Sequence, residues 1–305
     1  MTISTLASAI SGVVDRIEGL DVRFIAPAVA LQLAILGFRA LAWRNILAAA
    51  YRQPIPVFSI ACAYAAGVAL NGFLPARGGE VAKVALVRTR IPGSKVSTIA
   101  GALSVVCIVD GVIATTLVMT MWATGAIPFL PLPPLPDAQQ LVTVLAAVVA
   151  VAALVVAYAS TRRSFRVRPL LSAIGAGLAV LRSPGRFFSG VLPCLLGAWA
   201  CRIAVVFLVL HAFQIHASVA TAALVTVLSG ASAAVPVPGG GGSQQMLATY
   251  ALHGSVSTAS AMSFSFGMQV GVTALNCTVG LVAAMVMFRT LRPVAALRSA
   301  RARAA

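Results

Sequence analysis

The sequence predicts an all-α polytopic membrane protein, built as an inverted repeat with two opposed re-entrant helical hairpins. Three observations carry that expectation. Long apolar runs recur along the whole chain, and only 9% of its 305 residues are charged against 60% hydrophobic, where a soluble domain carries about 25% charged residues. Two of the apolar runs are broken by Pro–Gly motifs, "LPARGGE" (74–80) and "PVPGGGG" (236–242). The basic residues fall in a few short loops and a tail, and so sort those loops to one side of a membrane.

Taken in order, residues 1–20 lack the continuous apolar stretch of a secretory signal. Ile3, Leu6, Ile10, Val13, Val14 and Ile17 instead recur at helical spacing, which predicts an amphipathic helix on the membrane surface. Apolar runs follow at about 24–46 and 55–74, then the first broken motif and a short amphipathic piece ending at Arg88 and Arg90. The next run is about 96–126. A Pro-rich loop without Lys or Arg, "IPFLPLPPLPD" (127–137), leads to a run at about 138–160 and the basic stretch "TRRSFRVR" (161–168). Leu171, Ile174, Leu178 and Leu181 share one face of an expected interfacial helix over 169–182. Runs at about 187–210 and 217–235 precede the second motif. The last run, about 256–288, ends in a tail with Arg289, Arg292, Arg298, Arg301 and Arg303.

Placing the basic loops in the cytoplasm puts both ends of 55–90 on the same side. The leg from 78 to 90 is about 20 Å of helix at 1.5 Å per residue, too short to span. It is therefore expected to return as a hairpin from the cytoplasm, and 217–253 as a hairpin from outside. A shift of 163 residues superposes Arg39 on Arg202, Pro75 on Pro238, Gly78 on Gly241 and Gly79 on Gly242. It also matches Phe24 with Phe187, Gly67 with Gly230 and Ser97 with Ser260. One membrane domain over 1–305 results: a first repeat over 20–126, a connector over 127–186 with one span and an interfacial helix, a second repeat over 187–290, and a basic tail over 291–305.

The composition excludes several functions. A net charge of +16 distributed in loops and a tail reads as orientation and contact with anionic lipid, not as a nucleic-acid surface. The five cysteines show no ligand spacing, and no His pair has metal spacing. No nucleophile elbow appears, and "GGGGSQQ" lacks the Lys-Ser/Thr of a phosphate loop. The expectation is a protein with no catalytic residue, no metal and no cofactor.

Charged residues inside a bilayer are functional candidates, because each costs at least about 2.5–3.5 kcal/mol to place there. Arg39, Arg77, Glu80, Lys83, Asp110 and Arg202 qualify. Arg39 lies near a helix end and has the alternative of snorkelling to the interface. Arg77 and Glu80, three apart, are expected to share a face and to pair. A helix starting near Gly78 or Gly79 would turn free N–H groups toward an incoming anion, and glycine would let it approach. Arg77 and Arg202 would hold that anion, and Gly239, Gly240, Gly241 and Gly242 offer a second donor nest, followed by Gln245. In the last run Ser265, Gln269, Thr273, Asn276 and Gly280 form a stripe that serves either as helix-packing glue or as pathway lining. Gln269, Thr273 and Asn276, with Arg39, are the pathway candidates.

"LPARGGEVAK", then Asp110, then "PVPGGGGSQQ" resemble the lysylphosphatidylglycerol synthase transmembrane-region family over roughly 20–290. This is the flippase-like domain also found as the N-terminal part of the multiple peptide resistance factor. The matching positions are Pro75, Arg77, Gly79, Glu80, Lys83, Asp110, Pro238, Gly239, Gly240 and Gly242. The resemblance implies a bacterial or archaeal inner-membrane protein that moves lipids between leaflets, with a cytoplasmic C-terminus expected from the basic tail. Val106 and Cys107 stand where the family often carries Glu-Arg, and Gln245 where it often carries Glu. A proton-coupled mechanism therefore cannot rest on those carboxylates. No aminoacyl-transferase domain is expected here. Expected partners are membrane lipids, anionic or lipid-linked. A partner transferase, self-association, transport of a small soluble anion and a supporting role in lipid-linked sugar or envelope synthesis stay open as alternatives.

Overall fold

The computed structural model describes residues 21–72, 78–91, 93–125, 184–231, 243–252 and 256–288. The N-terminal amphipathic segment, both glycine-rich tips with Arg77 and Gly239–Gly242, the Pro-rich loop, the run at 138–160, the interfacial segment and the tail lie outside the described residues. Within them the chain is all helix. The order is α1 (Val22–Tyr51), α2 (Val57–Asn71), α3 (Gly78–Arg88), α4 (Val96–Ala123), α5 (Phe187–Ala212, after a short turn at Pro184–Arg186), α6 (Val219–Ala231), α7 (Ser243–Ala251) and α8 (Thr258–Phe288). Four of these, α1, α4, α5 and α8, are long and apolar enough to cross a membrane. The order long, short, short, long occurs twice.

Local chemistry explains the boundaries. Asp21 caps α1, its carboxylate accepting from the Arg23 N–H at 3.0 Å. Arg52 ends that helix in the left-handed conformation (φ 53°), and Pro54 and Pro56 keep the chain extended until α2. Gly93, at φ 72°, turns the chain into α4, a conformation glycine adopts without steric cost.

The largest helix pairing is α1 against α5. It starts where α5 opens with a π-type turn, Phe187–Val191. That irregular backbone lets the Gly190 carbonyl accept from the Asn45 amide of α1 at 2.7 Å. Farther along, the Phe38 ring packs on Gly197, at 3.4 Å from where a Cβ would be. The two helices are antiparallel, since the Asp21 N–H reaches the Ala212 carbonyl at 3.3 Å at the other end. Tyr51 donates to the Lys95 carbonyl at 3.4 Å, so α1 ends where α4 begins. Arg90, in the turn after α3, donates to the Met287 carbonyl near the end of α8. At the opposite end Met121, Leu210 and Phe264 share one buried cluster.

Two larger apolar cores result. One gathers Trp43, Ile46, Leu47, Ile60, Leu86, Ile99 and Leu195, and the other Leu210, Leu224, Leu252 and Phe264. Outside them, Leu33, Ile108, Val112, Leu196 and Leu281 are exposed. In water such a belt would be a liability; lipid tails solvate it at no cost. With no hydrophobic drive between helices in lipid, close approach and dispersion hold them together. The α2–α8 contact shows this at Gly280, where a Cβ would stand 2.3 Å from the Ala69 Cβ and 2.7 Å from the Ala65 carbonyl oxygen.

The Gly280→Val variant is therefore expected to lose stability by about 1–3 kcal/mol through overpacking, seen as a lower Tm of the detergent-purified protein. Gly111→Ala, where nothing lies within 4 Å of the added carbon, should leave the Tm unchanged. Equal melting of the two variants would contradict the packing described.

Candidate functional site

A cavity of about 1000 Å³ lies among α1, α2, α3, α5, α6, α7 and α8. Its apolar lining includes Ile35, Leu36, Val205 and Val206, and its polar lining includes Gln32, Arg39, Tyr64, Asn71, Glu80, Lys83, Arg202, Gln244, Gln245, Gln269, Thr273 and Asn276. Helical spacing alone places much of this set. Gln32, Ile35, Leu36 and Arg39 recur at 3–4 residue steps on α1, and Gln269, Thr273 and Asn276 do so on α8. A cavity with charged walls inside an apolar bundle is stable only if its charges find partners.

Two ion pairs meet that need. Arg39 binds Asp110 of α4 through both ends of its guanidinium, Nη1 to Oδ2 at 2.9 Å and Nη2 to Oδ1 at 3.1 Å. The geometry is the fork-on-fork arrangement that makes Arg–carboxylate pairs strong. Trp199 of α5 adds its indole N–H to Asp110 Oδ1 at 2.9 Å, so three of the four long helices meet at one carboxylate. The interfacial alternative for Arg39 is thereby corrected: a carboxylate within reach across the bundle outweighs a stretch to the membrane surface. Asp110 is not itself a lining residue, and acts by holding Arg39 against the wall.

The second pair is Lys83 with Glu80, Nζ to Oε1 at 2.8 Å. Asn71 also donates to Glu80 Oε1 at 3.1 Å, and the Lys83 ammonium sits 4.2 Å from the Tyr64 ring centroid. Lys83 is almost wholly buried, at 3% exposed. The sequence expectation paired Glu80 with Arg77. Arg77 lies outside the described residues, and the partners seen for Glu80 are Lys83, one turn on, and Asn71.

Arg202 differs from both. Arg202 is a lining residue of the cavity, and its guanidinium carbon stands 6.0 Å from the Trp199 ring centroid. Arg39, Asp110 and Tyr64 are within electrostatic range of it. Among the described residues it makes no ion pair and no hydrogen bond.

Gly79 of the first motif has another role than the one expected. Gly79 is buried, and a Cβ there would lie 2.2 Å from the Gly67 carbonyl oxygen and 2.4 Å from Asn71 Oδ1. The space its missing side chain leaves is filled by α2, so this glycine admits a helix and not a ligand. Neither Gly78 nor Gly79 lines the cavity. Gly67 does the same in return, since a Cβ on it would meet Lys83 Cγ at 2.1 Å. Gly239–Gly242 lie outside the described residues. Gln245 is present in the lining and donates its amide to Gln269.

The stripe on α8 divides between its two readings. Gln269, Thr273 and Asn276 face the cavity, with Asn276 accepting from Gln32 at 3.2 Å, whereas Ser265 is buried and Gly280 packs on α2. Sequence reasoning missed Gln32, Tyr64, Asn71 and Trp199. Gln32 and Asn71 carried a signal, as amide side chains inside apolar runs, while Tyr64 and Trp199 blend with ordinary core residues.

The family model described as Lysylphosphatidylglycerol synthase TM region matches residues 3–297. No curated protein and no solved structure matches the chain.

The geometry yields two expected outcomes. Asp110→Leu strands the Arg39 charge and should cost about 3 kcal/mol or more, while the double variant Arg39→Met/Asp110→Leu should recover most of it. A double-mutant cycle on Tm checks this, and additive losses would contradict the pairing. Gly67→Ala should push the Lys83 stem away and weaken its bond to Glu80. The signature is that Lys83→Met removes stability from the wild type but much less from Gly67→Ala.

Proposed function

The chain belongs to the lysylphosphatidylglycerol synthase transmembrane-region family, and from that premise we propose that this integral membrane protein is a lipid translocator. It moves a phosphate-bearing or lipid-linked head group between leaflets through the cavity, and it is a carrier, not an enzyme. The single observation that supports the reading most is a charged cavity of about 1000 Å³ lined by helices whose outer faces are apolar. A head group needs the charged interior, and acyl or prenyl chains need the apolar exterior.

The topology in this reading is an inverted repeat. The order long, short, short, long recurs at nearly the 163-residue shift: α1 with α5, α2 with α6, α3 with α7, α4 with α8. The short helices α2 and α3, of 15 and 11 residues, are about 22 and 16 Å long, less than the roughly 30 Å of a hydrocarbon core. The α2–α3 unit starts just after the end of α1 and finishes where Arg90 meets the end of α8, which supports a hairpin entering and leaving on one side. Leu224 of α6 and Leu252 after α7 pack with Leu210 at the other end, which supports the opposed hairpin. Arg44, Arg52, Arg88, Arg90, Lys95 and Arg186 gather toward the first end, so that end is cytoplasmic in this reading, and the inner membrane its location. Such repeats place their substrate where the two halves meet.

Leaflet transfer of fluorescent phospholipids in liposomes holding the purified protein tests the proposal. The wild type should exchange lipid at least about tenfold faster than empty vesicles, and Glu80→Gln with Arg202→Ala should remove most of that rate. A rate equal to protein-free vesicles for every native lipid offered would refute it. Uptake of soluble phosphate by the sealed vesicles would move the function to a soluble anion.

A further inference from the structure

Among the described residues the charges around the cavity do not cancel, and we propose that this selects a lipid whose head group is one phosphodiester of net charge −1, bound by Arg202, and rejects cationic head groups. The inference rests on the translocator reading of the cavity and narrows its substrate class.

Arg39 and Arg202 lie 163 residues apart on α1 and α5, the leading long helices of the two series. At the same shift the residue matching Asp110 of α4 is Thr273 of α8, and Thr273 lines the cavity. One arginine thus has a carboxylate where the other has a hydroxyl. Asp110 cannot serve both, because Arg39 takes both of its oxygens and Trp199 shares one of them. Glu80 is committed to Lys83. The only other described carboxylate, Asp21, caps the far end of α1. The described site therefore holds three cations and two anions.

In a poorly screened interior that excess is a standing attraction for one counter-charge. A phosphodiester supplies one negative charge and two oxygens that match the guanidinium fork. The Trp199 ring, 6.0 Å from Arg202 Cζ, supports the cation without neutralising it. A head group that also carries an ammonium would bring a like charge against Arg202. A phosphomonoester of charge −2 would leave the site negative.

Calorimetric titration of the purified full-length protein in detergent tests this with four probes: dioctanoylphosphatidylglycerol, its lysyl ester, dioctanoylphosphatidic acid and inorganic phosphate. The phosphatidylglycerol should bind about tenfold or more tighter than each of the others. Arg202→Gln should abolish that preference. Thr273→Asp should abolish it too, by supplying the missing carboxylate with Arg202 in place; this variant decides the matter if Arg202→Gln fails to fold. Equal affinity for the lysyl ester, or unaltered binding by Thr273→Asp, would overturn the proposal. Inorganic phosphate binding as tightly as the lipid would overturn its lipid part. Arg202-dependent binding without leaflet transfer would refute translocation and sustain the selectivity, whereas transfer of the lysyl ester as fast as phosphatidylglycerol would do the reverse.

Discussion

The structure depends on one constraint: a charge within an apolar bundle must be paired or it destabilises the fold. The pairing of Arg39 with Asp110, steadied by Trp199, answers it and ties α1, α4 and α5 together at a single carboxylate. Lys83 and Glu80 answer it a second time, within one turn of α3. Around these pairs the remaining contacts are of the kind lipid permits. Glycines let helices approach, as Gly67 and Gly79 do between α2 and α3 and Gly280 does on α2.

The same constraint marks the cavity as the candidate site. Once two carboxylates have been used, Arg202 remains as a cation on the wall of a large cavity. A protein that needed only stability would gain from an apolar residue there. Keeping the arginine makes sense if a ligand completes the pairing transiently, so that binding is favourable without being permanent. The lining also holds amides and a hydroxyl, Gln245, Gln269, Thr273 and Asn276, which offer hydrogen bonds but no opposing charge.

Much of the fold was legible in the sequence because hydropathy and length decide it. The long helices were expected at about 24–46, 96–126, 187–210 and 256–288 and occur at Val22–Tyr51, Val96–Ala123, Phe187–Ala212 and Thr258–Phe288. The charged candidates were legible too, since an Arg or Asp in an apolar run is conspicuous. Their pairing was not. Arg39 and Asp110 are 71 residues apart, and no local spacing distinguishes Asp110 as the partner of Arg39 from Asp110 as the partner of Arg202. Gly79 was misjudged for a related reason. A glycine signals close approach, but whether by ligand or by helix depends on what stands opposite, here the Gly67 carbonyl.

The central claim is that Arg202 holds the charge that the described residues leave for a ligand to balance. Native mass spectrometry of the lipids that stay bound to the purified protein tests it most directly. The account predicts one singly anionic phosphodiester lipid per wild-type chain, and none on Arg202→Gln. Retention of zwitterionic or cationic lipid, or the same bound lipid on both proteins, would contradict it.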